Sequence, residues 1–313
     1  MLQVGVQTKN VVNDNHPKQG FRLLKQAGFS CADFSLNGYL LNSSLYQSEV
    51  NQFFDKSVGD LEQFFAPHKD GARTEGITIN QMHMPYPNYV PKASKELNDY
   101  LREVVAPKSM SVCAFLECPY IVIHGFKLAY FLGSEEEEWK RTERFLDCLA
   151  PMAKEMGITM CIENLYDSLG GHLVEGPCCN ARKAVERIDR MNDKYHAQVL
   201  GFCFDTGHGN LVGIDVENFI TTLDYRLKVL HIHDNDGASD LHQLPFTFTK
   251  TRENLPSTDW DGFINGLRNI KFRGALSFET APVLSSFPEE MKLDVLSFIA
   301  KIGNYFSGCC EAR

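Results

Sequence analysis

The sequence predicts an α/β protein of one domain, residues 1–313, built as a (β/α)₈ barrel. Three observations carry that expectation. Eight short apolar runs recur along the chain, longer amphipathic stretches separate them, and no glycine-rich turn follows the first run. Eight strand–helix units are the count such a barrel needs, and ~250 residues usually suffice, so roughly 60 remain for loop insertions. An open doubly wound sheet would place a glycine fingerprint after its first strand. Here KNVVNDNHP follows, with no glycine until Gly20.

The strands are read at Leu2–Thr8, Phe29–Leu36, Ile77–Pro85, Tyr120–Phe126, Thr159–Leu165, Leu200–His208, Leu227–Asp234 and Gly274–Thr280. Most are rich in Val, Ile and Phe and are too short for helices. Pro17–Ala27 reads as a helix stopped by Gly28, since glycine readily takes the left-handed conformation that ends a helix. Gln47–Phe65 reads as the next helix. Ser94–Leu116 is long, with a break or kink at Pro107. Ser134–Met156 opens on a serine and four glutamates, which suits a helix N-terminus; the glutamates are read as a solvated acidic face. Asn180–Met191, Val216–Leu223, Asp261–Ile270 and Glu289–Tyr305 complete the helices. Asn37–Asp70 and Asn235–Asp259 are the expected insertions.

The chain carries 31 basic and 40 acidic side chains, a formal charge of −9. That balance argues against a sequence-independent nucleic-acid binder, which needs clustered Lys and Arg. No run approaches the ~20 apolar residues of a membrane span. The opening MLQVGVQTKN lacks a charged-then-apolar secretory pattern and reads as a strand, so a cytoplasmic protein is expected. The ten cysteines are scattered without a Cys-x-x-Cys, which suits free thiols in a reducing compartment.

Active sites of such barrels lie at the C-terminal ends of the strands. Strand three ends in QMHMPY with His83, strand four in IVIHGF with His124, and strand five in MCIENLY with Glu163. Strand six ends in FCFDTGH with Asp205 and His208, strand seven in VLHIHDND with His231, His233 and Asp234, and strand eight in LSFET with Glu279. Asp240 and His242 follow in the next loop. Six of the ten histidines thus gather on one rim. A single histidine there is usually a hydrogen-bonded core residue, but six beside several carboxylates point to a metal site. Ile162, Phe204 and Phe278 precede the three carboxylates. An ionised carboxylate in such surroundings is costly unless paired or bound to a cation. Alternation along a strand lets each acid face inward while its apolar neighbour faces the helices. Three carboxylates and one imidazole suit Mn²⁺ or Mg²⁺, with Zn²⁺ and Co²⁺ also compatible.

At these residues the chain resembles the xylose isomerase-like barrel superfamily, which includes sugar and sugar-phosphate isomerases and epimerases, inosose dehydratases and endonuclease IV. The motifs HMPY, VIHGF, IEN, FDTGH, HIHDND, DLH and FET carry the likeness, in order, from strand three to strand eight. The resemblance implies one divalent metal held by Glu163, Asp205, His231 and Glu279. His231 is aligned through its spacing to Asp234; His233, facing the same way, could replace it. It implies that His208 contacts substrate or a further metal. It also implies proton transfer by Glu163 and Glu279 through a metal-stabilised enediolate, on a small sugar or polyol, in a possible homo-oligomer. Charge stabilisation and paired acid–base groups supply the chemistry.

Two alternatives stay open. An inosose dehydratase would add loss of water to the same proton abstraction. An endonuclease IV-like phosphodiesterase would hold up to three zinc ions with His83, His124, Glu163, Asp205, His208, His231, Asp240, His242 and Glu279, and all nine residue types match. Against it stand the negative charge and the lack of a Gly-Glu-Gly run after Asp240-Leu241-His242. The chain also departs from ketose epimerases, because HDNDGASD holds no arginine. Lys250 and Arg252 could meet a phosphate or carboxylate, but are read as solvated loop cations. Phe126, Tyr166 and Phe246 are candidate pocket walls, Trp260 is read as a packing residue, and Met82 and Met84 are expected to face the helices.

Overall fold

The computed structural model describes residues 1–128, 134–248 and 258–311. Eight parallel strands form the barrel: Gln3–Gln7, Cys31–Ser35, Thr78–His83, Tyr120–His124, Thr159–Glu163, Leu200–Asp205, Leu227–His231 and Ala275–Phe278. Each pairs with its neighbour in sequence order, and strand eight pairs with strand one. Strands seven and eight close the ring just beyond His231. Ile232 N–H donates to Ser277 O at 2.8 Å, and Glu279 N–H donates to Ile232 O at 3.0 Å. The fold is the expected (β/α)₈ barrel.

Local chemistry explains how strands two and three begin. Gly28 and Gly76 end the first two long helices in the left-handed conformation, at φ 104° and 66°. The next residue folds its N–H back onto the helix, Phe29 to Leu24 O at 3.1 Å and Ile77 to Ala72 O at 2.9 Å. Both apolar side chains are buried, so the cap also aims the chain into the barrel. Outward residues such as Ile162, Phe204 and Phe278 join the main core with the helices, as do Met82, Met84 and Trp260. Val122, Cys161, Cys203 and Val229 fill the lumen as a separate apolar group. Gln81 crosses it, donating from strand three to Leu230 O of strand seven at 3.1 Å.

Several expectations need correction. The helix read at Gln47–Phe65 lies instead at Val58–Glu75 and runs through Pro67. Its start is set by Ser57, whose Oγ accepts from Asp60 N–H at 3.1 Å while Asp60 Oδ2 accepts from Ser57 N–H at 3.3 Å. This reciprocal capping box outweighs the apolar run upstream. The first insertion therefore ends at Ser57 rather than Asp70 and carries the short helix Asn42–Tyr46 between two 3-10 turns, Asn37–Tyr39 and Phe53–Asp55. The break expected at Pro107 is a wide turn, Leu101–Val105, just before it. Ser134 makes no cap bond; its Oγ donates to Glu138 Oε1 at 2.9 Å. The acidic run is not simply solvated, because Glu138 is buried and Glu135 reaches Arg187 at 2.7 Å. The antiparallel hairpin Tyr166–Leu169 and His172–Glu175 after strand five was not expected. Lys250 and Arg252 lie outside the described residues. Among the described residues, no helix is long and apolar enough to cross a membrane.

Ser57→Ala removes one half of the capping box. The variant is expected to lose about 1 kcal/mol of stability. Urea unfolding checks this as a lowered midpoint with an unchanged slope.

Candidate metal centre

The C-terminal mouth of the barrel gathers all ten candidate residues. Glu163, at the end of strand five, is the hub. Its Oε2 lies 3.1 Å from His124 Nε2, 3.2 Å from His231 Nδ1 and 3.8 Å from His83 Nε2. Its Oε1 lies 3.1 Å from His208 Nδ1. Glu279 approaches the same His231 nitrogen, Oε2 to Nδ1 at 3.3 Å. Asp205, His231 and Glu279 each turn a donor atom into one group within 4.8 Å. Asp205 Oδ1 is also 3.0 Å from His233 Nε2 and accepts from His208 N–H at 2.6 Å, capping the short helix Thr206–Leu211. Asp240 Oδ2 lies 3.3 Å from His242 Nε2 and 3.5 Å from His208 Nε2. Both histidines of strand seven therefore face the mouth, His231 towards the two glutamates and His233 towards Asp205.

Backbone carbonyls fix the orientation of the outer imidazoles. His83 Nδ1 lies 2.6 Å from Met84 O, and His242 Nδ1 lies 2.9 Å from Glu279 O. Each carbonyl can only accept, so Nδ1 of each ring carries a hydrogen and Nε2 is the nitrogen turned towards the cluster. Asn164 clamps strand six, donating to Asp205 O at 2.9 Å and accepting from Asp205 N–H at 2.8 Å. The sequence reading missed three further contributors. Gln7, at the end of strand one, donates to Glu279 Oε1. Asp33, in the middle of strand two, places Oδ2 3.2 Å from His231 Nε2. Tyr86 sets its ring 4.3 Å from that of His124. The signal for Asp33 was a lone acid between Ala32 and Phe34 in an apolar strand, the same pattern that marked Glu163.

The candidate walls divide. Tyr166 lies 5.3 Å from the His208 ring, centre to centre. Phe126 stacks on Tyr89, and Phe246 packs on Trp260 and Phe306, so both belong to packing outside the cluster.

The electrostatics are those of crowded, mutually compensating charges. Burial opposes charge on Glu163, yet His124 and His231 hold its carboxyl well below the usual range. Burial likewise opposes charge on His231, but Cys203, Glu279 and Glu163 raise it well above an ordinary histidine. His242 is pushed up to about 9, with Asp240 and Glu279 overcoming its burial. His124 is pulled down to about 4, chiefly by burial.

The residues fit a divalent cation. Glu163 Oε2, both ring nitrogens of His231, His124 Nδ1, His233 Nδ1 and Asp240 Oδ1 are buried without a hydrogen-bond partner. Leaving such an atom unsatisfied costs ~1–3 kcal/mol. A cation between Glu163 Oε2 and His231 Nδ1, 3.2 Å apart, would satisfy both at once. Imidazole nitrogens and carboxylate oxygens also suit first-row divalent ions.

The ordered strand-end motifs on this closed barrel agree with comparison against known proteins, where the model of the xylose isomerase-like TIM barrel family matches residues 21–299. The chain belongs to that family. One relative, the uncharacterized protein y4fM of Sinorhizobium fredii (strain NBRC 101917 / NGR234), is 32% identical over 174 residues. That match spans 55% of this chain and about half, 50%, of the relative's length. Among solved structures, a D-psicose 3-epimerase in the presence of D-fructose superposes with a TM-score of 0.68 at 14% identity, over 98% of this chain and 100% of that one. The 3-keto-D-glucoside 4-epimerase YcjR from E. coli gives 0.66 at 13% identity, over 96% and 100%. A xylose isomerase domain protein from Alicyclobacillus acidocaldarius subsp. acidocaldarius gives 0.65 at 12% identity, over 100% of both. At these identities the likeness is one of fold.

Family membership leaves the cluster's packing to this chain's own residues, and Gly207 of FDTGH is the tightest point. A Cβ there would sit 1.9 Å from His233 Cε1. Gly207→Ala is expected to displace the His233 ring while the barrel still forms. Histidine-selective ¹⁵N NMR checks this as a moved His233 resonance with unchanged far-ultraviolet circular dichroism.

Proposed function

We propose that this protein is a divalent-metal-dependent isomerase or epimerase acting on a sugar or sugar phosphate, with Glu163 and Glu279 as the proton-transferring pair. One observation carries the reading. Two carboxylates from different strands meet the same buried nitrogen, His231 Nδ1, at 3.2 and 3.3 Å. Epimerases among the structural neighbours act on D-psicose and a 3-keto-D-glucoside, as their descriptions state, and that chemistry is carried here as part of the proposal.

Glu163, Asp205, His231 and Glu279 would hold the cation, Mn²⁺ or Mg²⁺, with Zn²⁺ or Co²⁺ also suited to the set. The cation would polarise a substrate carbonyl and offset the charge developing on its oxygen. One glutamate removes a carbon-bound proton. The other donates a proton it already carries, to the opposite face of that carbon in an epimerisation or, through a proton relay, to the neighbouring carbon in an isomerisation. Gln7 holds Glu279 Oε1, leaving Oε2 towards His231. Asp205 is fixed by the Asn164 clamp. His208, close to both Glu163 and Asp240, would contact a substrate hydroxyl or a further metal.

A second reading is favoured by a specific feature. His83, His124 and Glu163 form a separate donor group, and His208 and His242 converge on Asp240. Three metal positions would suit in-line phosphodiester hydrolysis.

Metal analysis of the purified protein separates the two. One Mn or Mg per chain supports the isomerase, and three zinc ions support the hydrolase. With ketoses, aldoses and inososes in deuterium oxide, NMR should show substrate C–H replaced by C–D. Turnover without exchange would count against proton abstraction, and loss of water from an inosose would indicate the dehydratase. Glu163→Gln and Glu279→Gln should each lower turnover by about 10²–10⁴-fold with an intact fold. Full activity in either variant sinks the acid–base assignment.

A further inference from the structure

The barrel has a second polar mouth, at the N-terminal ends of its strands, that the proposed reaction does not use. A cavity of about 400 Å³ opens there, and its lining includes Asn80, Tyr120, Lys228, Lys271 and Arg273. Among the described residues, none of the three cations pairs with a carboxylate. Asp224 is the one acid in the lining, so the cavity is locally basic in a chain of net charge −9.

Two β-bulges build this mouth. Between strands two and three the pairing passes from Ala32–Ile79 to Asp33–Gln81, which leaves Asn80 as the extra residue. Between strands six and seven it passes from Phe202–Leu227 to Cys203–Val229, which leaves Lys228 as the extra residue. A bulge re-aims the side chain it frees, and both freed side chains line the one cavity. Gly201 leaves room for the lysine, since a Cβ there would lie 2.6 Å from Lys228 Cγ.

Asn80 adds a requirement of its own. It is 9% exposed, and its Oδ1 is buried without a partner. Its amide orientation is fixed because Nδ2 donates to Gln81 Oε1 at 3.1 Å, while Gln81 Nε2 donates to Asp33 Oδ2 at 3.2 Å. Oδ1 is therefore an acceptor in need of a donor. Stability does not account for the arrangement, because gathered like charges and an orphaned acceptor both cost free energy. A ligand with a multiply charged anionic end and hydroxyl donors answers both requirements.

We propose that the N-terminal mouth of the barrel is a binding site for a phosphorylated polyol, with Lys228, Lys271 and Arg273 on the phosphate and Asn80 Oδ1 accepting from a hydroxyl. The site stands apart from the carboxylate–histidine cluster and does not depend on that cluster's function. It has a buried connection to it, since Asn80 leads through Gln81 and Asp33 to His231 Nε2.

Titration calorimetry of the full-length protein with glycerol 3-phosphate and with inorganic phosphate tests the site. Saturable binding of glycerol 3-phosphate, weakening with added salt, is expected. Lys271 and Arg273 are exposed, so the double variant K271Q/R273Q spares the core, and it should bind at least about tenfold more weakly. Asn80→Ala should weaken glycerol 3-phosphate more than inorganic phosphate. His208→Ala, at the opposite mouth, should leave the affinity unchanged. The proposal is overturned if the unaltered protein shows no saturable binding, if K271Q/R273Q binds as tightly as the unaltered protein, or if His208→Ala is the variant that abolishes binding.

Discussion

Closure between strands seven and eight is the constraint on which the rest depends. The bridge at Ile232 is short, with one hydrogen bond from each side. It falls between His231 and His233 on one strand and beneath Glu279 on the other. An open sheet would leave these strands at opposite edges. Closed, the ring sets a glutamate from near the end of the chain beside an imidazole of strand seven and, through it, beside Glu163. Backbone pairing therefore fixes where the carboxylates meet.

That meeting is electrostatically expensive. Five carboxylates (Asp33, Glu163, Asp205, Asp240 and Glu279) share one mouth with six imidazoles, most of them buried. Without a cation, shared protons must do the balancing, which is why His231 and His242 are driven up while Glu163 is driven down. A divalent ion entering such a cluster displaces protons, so uptake and acidity are linked. The apolar group of Val122, Cys161, Cys203 and Val229 lies in the lumen alongside. Val122 and Val229 offer the charges no hydrogen bonds, while the Cys203 thiol faces His231.

Much of this was legible in the sequence, for a physical reason. A strand with one buried polar end in an apolar context is a local pattern, so the eight strands and the acids after Ile162, Phe204 and Phe278 could be read directly. Alternation placed those acids on the inner face before any coordinates. The helix at Val58 was misplaced because its start depends on a reciprocal bond between Ser57 and Asp60, while the apolar run upstream of it is loop. Gln7 and Asp33 were overlooked because a lone amide or acid in a strand acquires meaning only from the partner across the lumen. The bulges at Asn80 and Lys228 could not be read at all. An extra residue is defined by the strand beside it, and neither segment departs from ordinary strand composition.

Gln81 gives the barrel a mechanical property. Strands three and seven stand diametrically opposed in a ring of eight, and the hydrogen bond from Gln81 to Leu230 O spans that diameter. It acts as a strut, resisting flattening of the cylinder along one axis. Because the amide also holds Asp33, any ovalisation of the wall would tug on the carboxylate that steadies His231. The cross-section of the tube and the aim of one imidazole are thereby geared together, so that residues deep in the lumen govern alignment at the rim.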